Sequence, residues 1–179
     1  MKLNSCLKVD NEIELKKILP EYSKELFQLI DLNREYLREF LPWLDMCKTE
    51  SDELQFIDEL TYKFNNSKSL DYCIFYNGRI AGICGTHEID WSNKKTSLGY
   101  WIGEGFQGNG IVTRSCKRLI EYLFDDLKLH RIEIYCATNN IKSQHIPERL
   151  GFAKESVLKD AEDLYGKYVD LILYAKINS

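Results

Sequence analysis

A glycine-rich segment at residues 98–113 has the residue types and the spacing that an anion-binding site requires. A β-like run enters the segment, glycines turn the chain, and an amphipathic helix leaves it. A strand that turns into a helix in this way leaves several backbone N–H groups unpaired and pointing in one direction. The helix dipole favours negative charge there, and phosphate is the natural ligand. The helix is predicted from apolar side chains at helical spacing: Cys116, Leu119, Ile120, Leu123 and Leu127.

The charges of this helix also favour an anion. No acidic residue precedes Glu121 in the helix, whereas Arg114, Lys117 and Arg118 are basic. Structural helices often place Asp or Glu in the first turn to complement the dipole. A first turn without acid therefore leaves the site open to an external anion. The alternative interpretation is an ordinary helix start after a flexible turn.

Length, composition and charge indicate a globular protein. A chain of 179 residues and 21.0 kDa can build a sizeable core, and we expect residues 1–179 to form a single domain. Hydrophobic residues make up 44% of the chain and charged residues 29%, which is typical of a soluble protein. The net charge of −4 argues against nucleic acid as the main partner. It suits cationic ligands such as amines.

The N-terminal segment and the cysteines favour a cytoplasmic location. Residues 1–10 are mixed and polar, and no apolar run approaches membrane length, so neither a signal peptide nor a membrane partner is predicted. The six cysteines form no CxxC motif, and most lie in apolar patterns, which favours reduced thiols over disulfides. The three histidines lack ligand spacing, so no metal site is predicted. The sequence leaves a monomer and a homodimer both open.

The order of the predicted elements indicates an α/β (α+β) fold. A strand pair, three helices and a strand meander with a hairpin turn at Asn77-Gly78 precede the glycine-rich segment. A strand at residues 131–137, a short helix from about Ser143 and a hairpin with strands near 155–159 and 168–174 follow the amphipathic helix. A strand–helix–strand unit places two parallel strands side by side, and their carboxyl ends can splay apart into a ligand crevice. We therefore expect a mixed, mostly antiparallel twisted sheet with a central parallel pair, flanked by helices.

The glycine-rich segment also carries a family signature. Gln107-Gly108-Asn109-Gly110-Ile111 resembles the Gln/Arg-x-x-Gly-x-Gly/Ala signature of the GNAT (GCN5-related) N-acetyltransferases, except that Val112 replaces the usual small residue at the last position. A glycine motif is weak evidence by itself. Asn140-x-x-Ser143 and Glu148-Arg149-Leu150-Gly151-Phe152 follow at the distances expected of that family. The order of elements agrees with it along nearly the whole chain.

Within this family, the chain is most similar to the ribosomal-protein serine/alanine N-acetyltransferases. Four segments carry that resemblance: Asn33-Arg34-x-x-Leu37-x-x-Phe40-Leu41-Pro42-Trp43, Gly99-Tyr100-Trp101, Phe106-Gln107-Gly108, and Leu158-Lys159-x-Ala161-Glu162. The resemblance implies transfer of an acetyl group from acetyl-CoA to a primary amine. The implied acceptor is the N-terminal amine of a ribosomal or similar protein.

The resemblance also implies which residues bind acetyl-CoA. The strand around Ile102 would pair with the pantetheine arm as an added strand, and the Ile102 N–H would face the thioester oxygen. Asn140 and Ser143 would contact the CoA arm, although Asn140 also suits a plain helix cap. The loop and helix start would hold the pyrophosphate through Gln107, Gly108, Asn109, Gly110, Ile111, Val112 and Thr113.

Ser143 and Glu162 are the expected catalytic residues by the same resemblance. Many GNAT enzymes carry a tyrosine as general acid in the helix after Asn140, but the matching residue here is Pro147, which cannot donate a proton. Ser143 is therefore the candidate proton donor to the thiolate, with water as the alternative. Glu162 matches the proposed general base, acting through a water on the acceptor ammonium. The alternative is that residues 160–163 form a solvated acidic turn.

The acceptor site is the part that the sequence defines least. Tyr36, Trp43 and Trp101 are candidates to line it, although aromatic residues at helical spacing are more often part of the core. Two further functions stay open. One is acetylation of a small amine such as a polyamine or an aminoglycoside. The other is a non-catalytic acyl-CoA-binding module, which the proline at position 147 keeps open.

Overall fold

The computed structural model describes residues 3–178. They build an eight-stranded sheet in the order β1-β2-β3-β4-β5-β6-β8-β7, in which only β5 and β6 pair in parallel. This mixed, mostly antiparallel sheet confirms the predicted fold class. The strands are β1 Cys6–Lys8, β2 Ile13–Lys17, β3 Asp71–Tyr76, β4 Arg79–Thr86, β5 Lys95–Ile102, β6 Arg131–Ala137, β7 Ala153–Leu164 and β8 Lys167–Ile177.

The helices start and stop largely where local chemistry requires. A capping box opens α3, because the Thr49 hydroxyl accepts from the Asp52 N–H at 3.2 Å and the Asp52 carboxylate accepts from the Thr49 N–H at 2.8 Å. At the other end of the chain, Gly151 ends the last helix in a left-handed conformation (φ 74°). The helices are α1 Ser23–Leu32, α2 Arg34–Arg38, α3 Glu50–Asn65, α4 Ile111–Glu121 and α5 Ile141–Arg149, and a π-helical turn, Tyr122–Asp126, extends α4.

Helices cover both faces of the sheet. On one face, α4 buries Cys116 and Leu119, and the π-helical turn that extends it buries Leu123; all three belong to the largest apolar cluster. On the other face, a second cluster joins Leu26 of α1 and Ile57 of α3 to the strands. The apolar stripe that predicts α4 is therefore its core-facing side. No helix within residues 3–178 combines the length and the apolar character needed to cross a membrane.

The parallel strand pair separates after a short stretch. β5 and β6 pair only from Lys95 opposite Arg131 to Leu98 opposite Ile134. Beyond Leu98, β5 stays on β4, whereas β6 stays paired with β8 through Ala137. The carboxyl ends of the two strands therefore diverge, and this confirms the predicted crevice inside the sheet.

Two element boundaries differ from the sequence-based expectation. The last hairpin is longer than predicted, because pairing with β8 resumes after a bulge between Leu158 and Glu162. The acidic residues 160–163 therefore lie in β7, and the turn comes after them. The second difference concerns α2: a proline disfavours helical backbone in the residue before it, so the sequence predicts a helix that continues up to Pro42, but α2 already ends at Arg38.

Candidate active site

A narrow cleft of about 200 Å³ opens where β5 and β6 diverge. Most residues predicted to bind the cofactor line it together: Ile102, Gln107, Gly110, Ile111, Val112, Thr113, Asn140 and Ser143. Gly108 and Asn109 do not line the cleft. The Asn109 side-chain amide instead donates to the carbonyls of Phe106 (3.3 Å) and Gln107 (3.2 Å), which fastens the loop.

The glycine-rich loop turns into α4 through left-handed backbone. Gly108 and Gly110 have φ values of 80° and 65°, and Gly110 is the N-cap of α4. Glycine adopts this region without the steric cost that a side chain imposes. The first turn of α4 contains no acidic residue, so its N–H groups and dipole favour an anion in the cleft. The predicted basic Arg114 binds Asp10 (2.7 Å) and Glu12 (2.9 Å) of the β1–β2 turn.

The free edge of β5 provides backbone groups for an extended ligand. The Gly103 N–H donates to Ala81 on β4 at 2.9 Å, and the His87 N–H donates to Ser97 at 2.8 Å. Because backbone bonds alternate along an antiparallel strand, the N–H and C=O groups of Tyr100 and Ile102 point the other way, into the gap beside β6. The Ile102 N–H is therefore directed at the cleft, which suits the predicted contact with a carbonyl oxygen.

Side chains at the junction of α1 and α2 hold the loop after β5 through hydrogen bonds. The Asn33 side chain accepts from the Glu104 N–H at 2.8 Å and donates to the Leu29 carbonyl at 2.7 Å. The Arg34 guanidinium donates to the carbonyls of Leu44 (3.0 Å) and Cys47 (2.9 Å). These two side chains tie the loop after β5 and the segment around Trp43 to the same helical junction.

Asn140 lies at the junction of the cleft with a second pocket and also caps α5. Its side-chain oxygen accepts from the Ser143 N–H at 3.1 Å, so the capping role considered from the sequence is present. The side-chain NH₂ group is not used in that bond, and the residue lines both pockets. Asn140 can therefore cap the helix and donate to a ligand at once.

The two roles of Asn140 can be separated by substitution. We expect Asn140→Asp to keep the free energy of unfolding, because Asp is as good an N-cap as Asn, while Asn140→Ala lowers it by about 1 kcal/mol. Both variants lose the amide donor, so the KM for acetyl-CoA should rise in both. Urea unfolding and initial rates measure the two effects. An unchanged KM in Asn140→Asp would show that Asn140 is a cap alone.

Ser143, which lines the cleft, is held by a partly buried cluster of side chains. Its Oγ lies 3.2 Å from the Tyr100 hydroxyl and 3.3 Å from Cys136 Sγ. The Tyr100 hydroxyl also donates to the Ser143 carbonyl at 3.2 Å. Pro147 explains why this carbonyl is available, since proline has no N–H to bond the residue four positions earlier in a helix. Burial raises the pKa values of Tyr100 and Cys136, so both stay protonated near neutral pH.

A wider pocket of about 640 Å³ adjoins the cleft and contains Glu162. The two cavities share Phe40, Leu41, Tyr100, Trp101, Asn140 and Ser143. Glu162 follows the bulge in β7, and burial raises the pKa of its carboxyl. A carboxylate with a raised pKa is a better proton acceptor than an exposed one.

The neighbours of Glu162 in the acidic run have other contacts. The Asp163 carboxylate accepts from the Gly166 N–H at 2.7 Å and closes the hairpin turn, and the Asp160 N–H donates to Asp170 at 3.0 Å. Of these three acidic residues, Glu162 alone lines the wide pocket. Asp71 is a further carboxyl of the wide pocket, which the sequence did not single out; burial raises its pKa to about 6.

The three aromatic residues predicted to line the acceptor cleft divide between the two cavities. Trp43 lines the wide pocket and Trp101 lines both cavities, and their ring centroids lie 6.3 Å apart. Tyr36 lines the narrow cleft instead, among the residues of the loop and α4. Its position therefore groups it with the predicted cofactor residues.

Besides Asp71, three further residues described at the site were not predicted from the sequence as functional. Tyr100 and Cys136 contact Ser143, and Phe56 lines the wide pocket. Cys136 has the pattern of a buried residue in a strand. Phe56 lies outside the buried face of α3, which contains Ile57, Leu60 and Phe64. Pro147 is the sequence feature that could have indicated such a contact, because a proline at this position leaves the Ser143 carbonyl without its helical N–H partner and Tyr100 donates to it instead.

The narrow cleft can hold a phosphate at the start of α4 and an extended ligand along the open edge of β5. Coenzyme A is a ligand of this shape.

The protein matches the family model described as acetyltransferase (GNAT) domain over residues 13–153, and it belongs to this family. Among relatives, the ribosomal-protein-serine acetyltransferase of Escherichia coli (strain K12) is 30% identical over 175 residues, covering 98% of each chain.

Two solved structures have the same fold. The microcin C7 self immunity acetyltransferase MccE, in complex with acetyl-CoA and AMP, superposes with a TM-score of 0.94, 35% identity and coverage of 98% of both chains. RimL, a ribosomal alpha-N-protein acetyltransferase, has coenzyme A bound to a cysteine through a disulfide. It superposes with a TM-score of 0.94, 27% identity and coverage of 96% of this chain and 97% of that chain.

These findings confirm the predicted family and activity. The chain is an N-acetyltransferase, and acetyl-CoA is its co-substrate. Within residues 3–178, no cluster of three or more His, Cys, Asp or Glu residues is placed to hold a metal ion.

Proposed function

We propose that this enzyme acetylates the N-terminal amine of a ribosomal or similar protein in the cytoplasm. The observation that carries the proposal is Glu162, a half-buried carboxylate in a wide pocket that meets the cofactor cleft at Tyr100 and Ser143. A protein N-terminus is a cation with an unperturbed pKa near 8, so it needs a carboxylate that binds it and removes a proton. The named activity of the Escherichia coli relative and of RimL supports the same class of acceptor.

The residues suggest how each atom moves. Glu162, through a water, takes a proton from the acceptor ammonium, and the neutral nitrogen then forms a bond to the thioester carbonyl carbon. The Ile102 N–H stabilises the negative charge that develops on the carbonyl oxygen. As the C–S bond breaks, the thiolate of CoA receives a proton from Ser143 Oγ. Tyr100 holds Ser143 in place during this step. The nitrogen, which is positively charged after the attack, gives its remaining extra proton to water, and water returns a proton to Ser143. Glu162 then releases to solvent the proton that it took, so each turnover yields one proton.

The disulfide of RimL with CoA supports the placement of the reacting sulfur. In RimL, the CoA sulfur comes close enough to a cysteine to bond with it. In this chain, Cys136 Sγ lies 3.3 Å from Ser143 Oγ and lines the wide pocket. We infer that the CoA sulfur arrives next to Ser143 and Cys136, at the point where the two cavities meet.

A second class of acceptor is an amine carried on a nucleotide. MccE, which is 35% identical to this chain, binds AMP together with acetyl-CoA. The observation in this chain that favours the second class is the aromatic lining of the wide pocket by Trp43, Phe56 and Trp101. Aromatic side chains commonly stack on nucleobases.

Release of free CoA thiol from acetyl-CoA, measured over a panel of acceptors, tests these alternatives. The panel contains Ser- and Ala-initiated peptides, their N-formylated forms as blocked controls, an aminoacyl-adenosine, spermidine and an aminoglycoside. We expect turnover of the free peptides and none of the formylated ones. Selective turnover of spermidine or the aminoglycoside would contradict the proposed N-terminal acceptor.

A further inference from the structure

The tip of the β7–β8 hairpin is fastened to the segment that follows α2. The Tyr165 hydroxyl donates to the Leu41 carbonyl at 2.5 Å. The Arg38 guanidinium lies over the Tyr165 ring, 3.7 Å from its centroid, and donates to the Asp45 carboxylate at 2.9 and 3.1 Å. We refer to these four residues, Arg38, Leu41, Asp45 and Tyr165, as the clasp.

The backbone of the hairpin tip sets Tyr165 apart from an ordinary turn residue. Tyr165 and Gly166 form the two-residue turn between β7 and β8, and both have positive φ values, 57° and 83°. Glycine, asparagine and aspartate suit such a left-handed turn, whereas a tyrosine there is uncommon. The contacts of the tyrosine ring and hydroxyl offset the cost of that backbone conformation. The side chain, and not the turn, therefore accounts for a tyrosine at this position.

Glu162 lies three positions before Tyr165, at the end of β7 that the clasp holds. In the sheet that residues 3–178 form, β7 is an edge strand and pairs with β8 alone. The bulge after Leu158 interrupts this pairing, which resumes at Glu162 opposite Val169 and continues for two more pairs up to the turn. Beyond the bulge, this end of β7 is therefore held by three strand pairs and by the clasp.

The clasp also connects two sides of the wide pocket. Glu162 lines the pocket from β7, whereas Leu41 and Trp43 line it from the segment that follows α2. Tyr165 packs against the apolar cluster that joins α1, α2 and this segment. The separation between Glu162 and the opposite wall of the pocket thus depends on the clasp.

The Glu162 carboxylate has no partner of its own among the described residues. Burial is the one cause of its raised pKa, with no contribution from a hydrogen bond or a nearby charge. Its position is therefore determined by the backbone that carries it, and not by a side chain that holds its oxygens.

We propose that Tyr165 is a positioning residue for Glu162, and that the clasp keeps the Glu162 carboxylate within reach of the acceptor amine. This inference rests on the proposed function, in which Glu162 is the base. Proton transfer requires hydrogen-bond distance, directly or through one water, and a misplacement of about 1 Å can cost two orders of magnitude in rate. Loss of the clasp releases the hairpin tip and lowers the fraction of enzyme in which Glu162 reaches the amine.

Two variants of Tyr165 test this role through initial rates with the fastest acceptor of the panel. Tyr165→Phe keeps the ring under Arg38 but loses the hydroxyl, and kcat/KM for the acceptor should fall about fivefold. Tyr165→Leu loses both contacts, so kcat/KM should fall at least about tenfold. Affinity for CoA should stay nearly unchanged in both. Tyr168→Phe is the matched control on the same hairpin, because Tyr168 is 64% exposed, and it should keep the wild-type rate.

A double-mutant cycle with Glu162→Gln separates positioning of Glu162 from general support of the pocket. If Tyr165 acts through Glu162, Tyr165→Leu should change kcat/KM by less than about twofold once Glu162→Gln has removed the base. Equal losses in both backgrounds would show that the clasp supports the pocket wall, and they overturn the inference. Circular dichroism checks that each variant is folded, and Tyr165→Phe completes the same cycle if Tyr165→Leu is not.

The single variants of the cycle separate this inference from the proposed function. Slow turnover in Glu162→Gln together with wild-type rates in both Tyr165 variants would overturn the positioning role and leave Glu162 as the base. Normal turnover in Glu162→Gln would remove the base and the positioning role together.

Discussion

Glu162→Gln is expected to lower turnover by roughly 100-fold or more at neutral pH, because loss of a general base typically costs two or more orders of magnitude. Affinity for CoA should stay nearly unchanged, since Glu162 lines the wide pocket and not the narrow cleft. Steady-state rates and calorimetry with CoA measure the two quantities. Asp163→Asn is the matched control, because it removes a neighbouring carboxylate whose contact is with the hairpin turn. Normal turnover in Glu162→Gln would remove Glu162 as the base.

The pH profile adds a second readout for Glu162. Burial raises the pKa of Glu162, so the carboxylate form is lost, as pH falls, at a higher pH than for an exposed glutamate. The acceptor amine also becomes protonated as pH falls below about 8. In the wild type, which uses the ammonium together with the Glu162 carboxylate, kcat/KM should stay level below the amine pKa and its log should fall with slope one only below the Glu162 pKa. Glu162→Gln can use only the neutral amine, so the log of its kcat/KM should already fall with slope one from the amine pKa downwards.

Ser143→Ala is expected to slow turnover about tenfold and to weaken CoA binding by about threefold, because one hydroxyl serves both roles. Thiol release and calorimetry with CoA measure these effects. Tyr100→Phe removes the hydroxyl that contacts Ser143 Oγ and its carbonyl, but it leaves the serine in place. Its effect on turnover should be smaller, about threefold. Unchanged turnover in Ser143→Ala would show that water protonates the thiolate.

The cofactor side of the molecule could be predicted well from the sequence, because its signals are local. Glycines at 108 and 110 indicate a left-handed turn, and the apolar stripe of α4 has a clear helical period. The parallel pair follows from the strand–helix–strand order, and a short motif places Asn140 and Ser143. Backbone geometry and helix ends determine the shape of this half of the site, and both are encoded in neighbouring residues.

The acceptor side was predicted less completely, because residues far apart in the chain build it. Phe56, Asp71 and Glu162 meet only through the tertiary fold. β7 is an edge strand with mostly exposed residues, so it shows no alternation of apolar and polar positions that would indicate its full length. The bulge before Glu162 has no sequence signal that we recognised. Tyr36 illustrates the same limit, since helical spacing could not show which of two cavities it faces.

Ser143 and Tyr100 stand at the meeting point of two separate cavities, and this has a kinetic consequence. If the donor occupies the narrow cleft and the acceptor the wide pocket, neither must leave before the other binds. Cys136 is the thiol nearest to the junction, and burial raises its pKa, which disfavours the thiolate that a covalent acetyl-enzyme would need. We therefore expect transfer to proceed directly within a ternary complex. The wide pocket can then change during evolution to accept another amine, while the narrow cleft continues to bind the same donor.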